Sequence, residues 1–371
     1  MKLEIKRTDL LEHLAVVATV ADRGDKNGIY SCVLIECVPG LLMLSCSDQT
    51  VTVRRDAECD CDLGTVALDA RRLQQILGSM SGETVTIETT TNGLVIYSLT
   101  SRFTLPRNPF AAAAIASRVG EKAQWGEPVE VRGEALGNAL GQVAWSVDDN
   151  STKYALGGVA VEMSGSRIWC VATNTRTLAI SRVTAAGTDD DGPRVWPVRL
   201  VSSVRAAFTT PADVTITRNA SAVRITDGTT TIRGQFVSGA YPKWREVLPK
   251  PNEYGGAFRA PAGELLKLVR QARVCTSVES SGIDWKFGEH GLTLASQAAE
   301  IGSGEVRMEA GGIRSAVTVT LDGEYCQRIL GSVEREASVR VWVRDGENGV
   351  VFETDAPDST RFMIMPMTRG A

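Results

Sequence analysis

A chain of 371 residues with 43% hydrophobic and 23% charged residues and a formal charge of −4 has the balance of a folded soluble protein, long enough for two or three domains. No apolar run approaches the roughly 18 residues that span a bilayer, and Met1-Lys2-Leu3-Glu4 lacks the apolar core of a signal peptide, so a cytoplasmic protein with no membrane partner is expected. Eight cysteines, at 32, 37, 46, 59, 61, 170, 275 and 326, fall mostly inside strand or helix patterns as small buried hydrophobes; beside Cys59-Asp60-Cys61 the chain has only His13 and His290, too few ligands for a metal site, and no cofactor is expected.

Taken in order, Leu3-Glu4-Ile5-Lys6 reads as a strand and Asp9-Leu10-Leu11 opens a helix with Leu14 and Val17 on its apolar face. A charged loop at 22–28 leads to a hairpin, 32–37 and 41–45, around Pro39-Gly40. In residues 67–105 a helix with Leu73, Ile76, Leu77 and Met80 at steps of three and four is followed by three short strands, 85–87, 94–99 and 102–105, with a turn at Thr91-Asn92-Gly93. Residues 106–126, with Pro109, four consecutive alanines and Gly120, carry no clear period and read as a connector in which the alanines suit a short helix. Glu134-Ala135-Leu136 opens another helix, with Leu140 and Val143, and residues 199–208 another, followed by strands to 236. Prolines at 242, 249 and 251 predict an extended linker. A helix at Glu264-Leu265-Leu266, one at 326–333 and a final strand ending Met363-Ile364-Met365-Pro366-Met367 complete the chain. Period two puts the three methionines on one strand face, either in a core or along an adaptable apolar groove.

These elements repeat. Leu73 superposes on Leu200 and Leu200 on Cys326, steps of 127 and 126 residues; Asp9, Glu134 and Glu264 start the other helix at steps of 125 and 130. Periods this long are whole domains rather than solenoid repeats. The expected fold is α+β, three repeated domains at 1–125, 126–250 and 251–371, each with two helices packed on antiparallel sheets.

Basic residues collect on the predicted helices, at Arg71, Arg72, Arg132, Arg199, Arg205, Lys267, Arg270, Arg273, Arg328 and Arg335, and acidic ones in presumed turns at 56–58, 148–149, 189–191 and 355–358. Exposed helices carry such charges in any protein; a single basic surface lined by all the helices is the alternative. No phosphate loop, nucleophile elbow or clustered acid and base occurs, so no catalytic residue and no enzyme is expected.

The threefold repeat, the segment 171–179, Tyr241-Pro242-Lys243-Trp244-Arg245-Glu246-Val247-Leu248-Pro249 and Met365-Pro366-Met367 together resemble the bacterial sliding clamp, the beta subunit of the replicative DNA polymerase, over the full length. The resemblance implies a non-catalytic processivity factor: a head-to-tail homodimer of six similar domains closing into a ring, with sheets outside and helices lining a hole for duplex DNA, read without regard to sequence. It places DNA contacts at Lys26, Arg71, Arg72, Lys153, Tyr154 and Arg199, with the acidic turns on the outer sheets. It also implies a pocket between the second and third domains that takes short linear peptides of polymerase, clamp loader and repair proteins. Its walls are Leu156, Thr173, Asn174, Thr175, Leu178, Pro242, Val247, Tyr325, Met363, Met365, Pro366 and Met367, with Asp322 at the rim.

Four places depart from the family pattern. Thr175-Arg176-Thr177 stands where Gly-His-Arg is usual, Glu246 replaces a second Arg, Thr368-Arg369-Gly370-Ala371 replaces a short Arg-Leu end, and Lys26-Asn27-Gly28-Ile29 lacks the usual prolines. Arg273-Val274 also replaces an apolar pair at the implied dimer contact between the strand edge near 99–105 and the helix 261–274. A divergent or accessory clamp copy, acting as a protein-interaction module with altered partner preference, is the second reading.

Overall fold

The computed structural model describes residues 1–22, 24–25, 28–91, 93–120, 123–148, 155–187, 192–249, 253–254, 256–278, 281–309, 316–355 and 360–367. Among them the helices are α1 (Arg7–Val17), α2 (Ala70–Ser79), α3 (Pro109–Val119), α4 (Gly133–Val143), α5 (Val198–Ala207), α6 (Trp244–Val247), α7 (Ala262–Ala272) and α8 (Gly323–Gly331). The strands among them pair antiparallel, giving the α+β class expected. The chain divides into two compact units. One holds Met1–Gly137 with Ala185–Gly187 and Trp196–Phe236; the other holds Asn138–Thr184, Thr188–Val195 and Val237–Ala371.

The repeat read from the sequence recurs element by element. Strands Lys2–Lys6, Val129–Arg132 and Gly256–Pro261 run directly into α1, α4 and α7, each of which ends in a 3-10 turn. Strands Gly64–Asp69, Arg194–Pro197 and Val317–Asp322 run likewise into α2, α5 and α8. The local chemistry explains α2: the Asp69 carboxylate accepts the Arg72 backbone N–H at 2.7 Å as an N-cap. Leu73, Ile76 and Leu77 are buried while Arg71 and Arg72 stay exposed, and each buried aliphatic side chain contributes about 1.5–3 kcal/mol.

In the first unit one sheet runs in the order Gly64–Asp69, Cys32–Val38, Gly40–Ser47, Val51–Cys61, Thr230–Gln235, Ala222–Thr226, Asp213–Arg218, Val129–Arg132. The hairpin around Pro39-Gly40 is as expected, with Val38 opposite Leu41 and Gly40 at φ +85°. A second sheet pairs Lys2–Lys6 with both Val51–Cys61 and Thr84–Thr90, then continues through Gly93–Ser98 to Ser101–Leu105. Helix α5 lies so close to the first sheet that a Cβ on Gly234 would come within 2.6 Å of Leu200 Cδ2; only glycine fits there. The end of α1 is tied to α5 by Thr19 and Ser203, whose hydroxyls are 2.9 Å apart.

The second unit repeats this plan. Its larger sheet orders Gly158–Ser164, Arg167–Thr173, Thr177–Ala186, Arg361–Ile364, Val350–Thr354, Ser338–Val343 and Gly256–Pro261. Its smaller sheet orders Gly302–Glu309, Gly291–Ala298, Gly282–Gly288 and Val317–Asp322. Edge-on aromatic contacts fill the core, Phe258 on Phe287 at 5.9 Å and Trp285 on Phe352 at 5.7 Å. The pairing of Val53 with Ile232 in the first unit recurs as Ala179 with Phe362 in the second.

Several expectations are corrected. The connector 106–126 does hold the short helix that the alanines suit, and it is longer and better packed than a connector needs: Asn108 Oδ1 caps the Ala111 N–H at 3.0 Å, Pro109 opens α3, and Ala111 and Ile115 pack on Cys32, Leu34 and Ala67. Alanine gives no amphipathic period to read, yet it is the best helix former. The proline-rich linker contains the single-turn α6 and buries Trp244, because an apolar ring outweighs the local preference for extension. Asp56, Ala57 and Glu58 lie inside the strand Val51–Cys61 rather than in a turn, where Asp56 is held by Arg54 at 2.7 and 3.0 Å. The final strand stops at Ile364, so the methionines share no single strand face: Met363 is buried while Met365 and Met367 are 42% and 37% exposed. Arg132 lies in a strand, Arg273 in a 3-10 turn and Arg335 beyond the end of α8.

Candidate functional site

In the second unit the hairpin of Arg167–Thr173 and Thr177–Ala186 turns through Asn174, Thr175 and Arg176, a polar sequence whose side chains hold the turn. Asn174 Oδ1 accepts the backbone N–H of Arg176 at 3.1 Å and of Thr177 at 2.8 Å, and the Thr177 hydroxyl at 2.9 Å. Thr173 Oγ1 accepts the Thr175 N–H at 3.2 Å. These bonds fix Thr175 at φ +71°, a left-handed conformation that costs a residue with a Cβ about 1–2 kcal/mol.

The turn is tied to α8, since Asn174 Nδ2 donates to the Tyr325 hydroxyl at 3.2 Å. Trp145 lies against both Tyr325 and Phe362, with ring centroids 6.5 and 6.1 Å apart. Asp322 caps α8 by accepting the N–H groups of Glu324 and Tyr325 at 2.8 and 3.1 Å, and also accepts the Ser281 hydroxyl at 2.8 Å. Past Ile364 the chain stays docked: Met365 N–H donates to the Arg176 carbonyl at 2.9 Å and Met367 N–H to the Thr320 carbonyl at 2.8 Å. Met365 is therefore held beside the turn, and Met367 beside the strand Val317–Asp322, each by its own backbone.

Beneath them Leu178 and Met363, opposite each other in register, join a buried cluster with Val171, Ile180, Val195, Trp244 and Val351. Tyr241 packs on this cluster and donates its hydroxyl to the Val171 carbonyl at 3.1 Å; burial pushes that hydroxyl well above the ordinary phenol value. Leu156 is buried too, at 1% exposure. Leu178 and Met363 thus supply a floor rather than accessible walls, and Leu156 is likewise closed to solvent. The open apolar surface comes from Met365, Met367 and Val247, which is 53% exposed on α6, with Pro242 and Pro366 half-buried. Glu246 is exposed and paired with Lys243 at 3.4 Å.

On the first unit Arg71 and Arg72 project from α2 and are exposed. Arg199, on α5, is engaged: it meets Asp48 at 3.1 Å, Asp22 at 3.3 Å and the Val20 carbonyl at 3.4 Å. Those partners stand 151 and more residues away in sequence, beyond any local pattern. A cavity of about 390 Å³ beside them is lined by Asp22, Asp25, Asp69, Arg71 and Gln74, among others. Lys26, Lys153 and Tyr154, and the acidic residues at 149, 189–191 and 358, lie outside the described residues. Among the described residues no group of His, Cys, Asp and Glu is arranged to hold a metal ion, and no helix is long and apolar enough to cross a membrane.

Residues 1–112 match the N-terminal domain, and residues 130–243 the central domain, of the DNA polymerase III beta subunit family. The chain is 24% identical to the beta sliding clamp of Pseudomonas putida, over 99% of this chain and 100% of that protein. It is 23% identical to the beta sliding clamp of Chlamydia muridarum, over 99% of each. Its fold matches the crystal structure of a sliding clamp from Pseudomonas aeruginosa bound to griselimycin, with TM-score 0.88 at 20% identity over the whole of both chains. It equally matches the DNA polymerase III beta subunit of Thermotoga maritima, with TM-score 0.88 at 15% identity over the whole of both chains. The two family models cover more than half of the chain, and its elements recur in threes: the chain belongs to the DNA polymerase III beta subunit family, the sliding clamps, which are non-catalytic processivity factors of DNA replication.

Proposed function

We propose that two copies of this chain join head to tail into a closed ring that encircles duplex DNA and tethers polymerase, clamp loader and repair proteins in the cytoplasm. The observation that carries the reading is a pair of open sheet edges. Val51–Cys61 pairs with Thr230–Gln235, and the equivalent Thr177–Ala186 pairs with Arg361–Ile364. The third strand of the first kind, Gly302–Glu309, pairs only with Gly291–Ala298 among the described residues; the third of the second kind, Ser101–Leu105, pairs only with Gly93–Ser98. An edge from one copy completes the series on the other, and a heterologous contact that closes after two copies gives six domains, with boundaries near 125 and 250 in each chain. Exposed apolar residues border both edges: Leu99 and Phe103 on one side, Val274, Val278 and Ile301 on the other.

Sedimentation at micromolar concentration tests this. The native chain is expected to run as a dimer, and Phe103→Glu with Ile301→Glu as a monomer; a native monomer would refute the ring. Within the ring, Arg71, Arg72 and Arg199, together with Lys26, Lys153 and Tyr154, face the phosphates without reading bases.

Partner peptides bind across Thr173, Asn174, Thr175, Pro242, Val247, Asp322, Tyr325, Met365, Pro366 and Met367, over the floor of Leu178 and Met363, with Leu156 closed to solvent. Adaptable thioethers beside hydrogen-bonding groups suit an extended apolar peptide. The second reading, an accessory clamp with altered partner preference, is favoured by Thr175 in a left-handed conformation and by the acidic Glu246 at the site. Fluorescence anisotropy with a clamp-binding peptide of the host polymerase separates the two. Micromolar binding supports general tethering, and absence of binding supports the accessory role.

A further inference from the structure

The hairpin turn of Asn174, Thr175 and Arg176 carries one charge that the fold does not answer. Thr177 pairs with Ile364, and both side chains are buried. The bond from the Met365 N–H to the Arg176 carbonyl continues that register by one step, so alternation turns Arg176 and Met365 together to the open side. Both are exposed there. The base of the arginine is fixed from two directions, since its N–H donates to Asn174 Oδ1 at 3.1 Å and its carbonyl accepts from Met365 at 2.9 Å.

The charged groups of the neighbouring elements are committed. On α6, Arg245 holds the Glu162 carboxylate with two bonds, at 2.8 and 2.9 Å, and Glu246 meets Lys243 at 3.4 Å. At the start of α8, Asp322 caps the helix and holds Ser281, while Glu324 takes Arg328 at 2.6 and 3.1 Å. The Arg176 guanidinium, by contrast, has no carboxylate partner among the described residues.

We propose that Arg176 selects peptides that carry a carboxylate next to the apolar side chain resting on Met365. The proposal rests on the reading of this surface as a peptide-binding site and names the class of peptide it prefers. A guanidinium presents paired N–H groups in a fixed plane that match a carboxylate, while its methylene stem lies along apolar surface. A side chain seated on the adaptable thioether therefore brings the adjacent residue of an extended peptide within reach of the fork. A carboxylate there is attracted and an ammonium repelled.

The test uses the full chain and three fluorescein-labelled octapeptides, each with two leucines and one phenylalanine among serines, that differ only between the leucines: glutamate, glutamine or lysine. Anisotropy at low salt is expected to give the glutamate peptide about fivefold tighter binding than the glutamine peptide, in the range of a solvent-exposed ion pair, and the lysine peptide weaker binding than either. Arg176→Glu is expected to reverse the order and Arg176→Gln to level it. Met365→Ala is expected to weaken all three alike and keep the order, which separates the apolar anchor from the charge and guards against a folding artefact. Equal affinity of the native chain for the glutamate and glutamine peptides, or an unchanged order in Arg176→Glu, would overturn the proposal while leaving the peptide site standing. Absence of binding by all three would refute the peptide site itself, and this inference with it.

Discussion

Replacing Thr175 by glycine should stabilise the second unit although it removes atoms. Thr175 is exposed and at φ +71°, where its Cβ crowds the backbone at a cost of about 1–2 kcal/mol. Glycine removes that cost but adds about 0.5–1 kcal/mol of unfolded-state freedom. The two leave a net gain of about 0.5–1 kcal/mol, provided the hydrogen bonds from Asn174 and Thr173 hold the turn unchanged. Urea unfolding followed by tryptophan fluorescence reads the shift through Trp145, Trp169 and Trp244. The expected order of stability is Gly above Asn above Thr, because asparagine tolerates the left-handed region better than a β-branched residue. Asn174→Ala removes the acceptor of three bonds and should cost about 1–3 kcal/mol. A Thr175→Gly variant less stable than the native chain would show that the turn is held by the threonine side chain and not despite it.

Further outcomes follow from the same contacts. Arg71→Gln should flatten the dependence of log DNA affinity on log salt by about 0.9, whereas Arg199→Gln should change it much less, since Asp22 and Asp48 already offset that charge; equal effects in a salt titration would contradict this. His13 accepts a hydrogen bond from Arg55 at 2.9 Å, and burial, followed by the Arg55 charge, lowers its pKa from 6.5. The unfolded chain therefore binds more protons below pH 6.5, so stability is full above that pH and falls as pH drops through it; the melting temperature should decline between pH 7.5 and 5.5, and His13→Gln should shrink the decline. Burial pushes the Cys170 thiol up to about 12 and the Cys32 thiol up to about 11, so at pH 7.5 a thiol reagent should label the half-exposed Cys275 first; rapid labelling of Cys170 in the folded chain would contradict the packing.

Much of the fold was legible because it is written three times. A stripe such as Leu73, Ile76 and Leu77 is weak alone but strong when it recurs at Leu200 and Cys326, and all six repeated helices stand where the stripes put them. Helix α3 was legible only as a short alanine helix inside a connector, because alanine has propensity without periodicity, and α6 was hidden because three prolines mask the burial of Trp244. At the candidate site the turn chemistry of Asn174 was visible as residue types. The left-handed conformation of Thr175 was not read from the sequence and is seen only in the backbone. What no local pattern carries is the long-range company: Arg199 with Asp48, Asn174 with Tyr325, and Arg176 with Met365 were found only in three dimensions.

The most direct test of encirclement is topological. The protein is loaded on nicked circular duplex DNA, separated from free protein, and followed after a single restriction cut. Retention on the circle and rapid loss from the linear product is the predicted result; equal retention on both forms would contradict a ring that holds DNA by enclosing it.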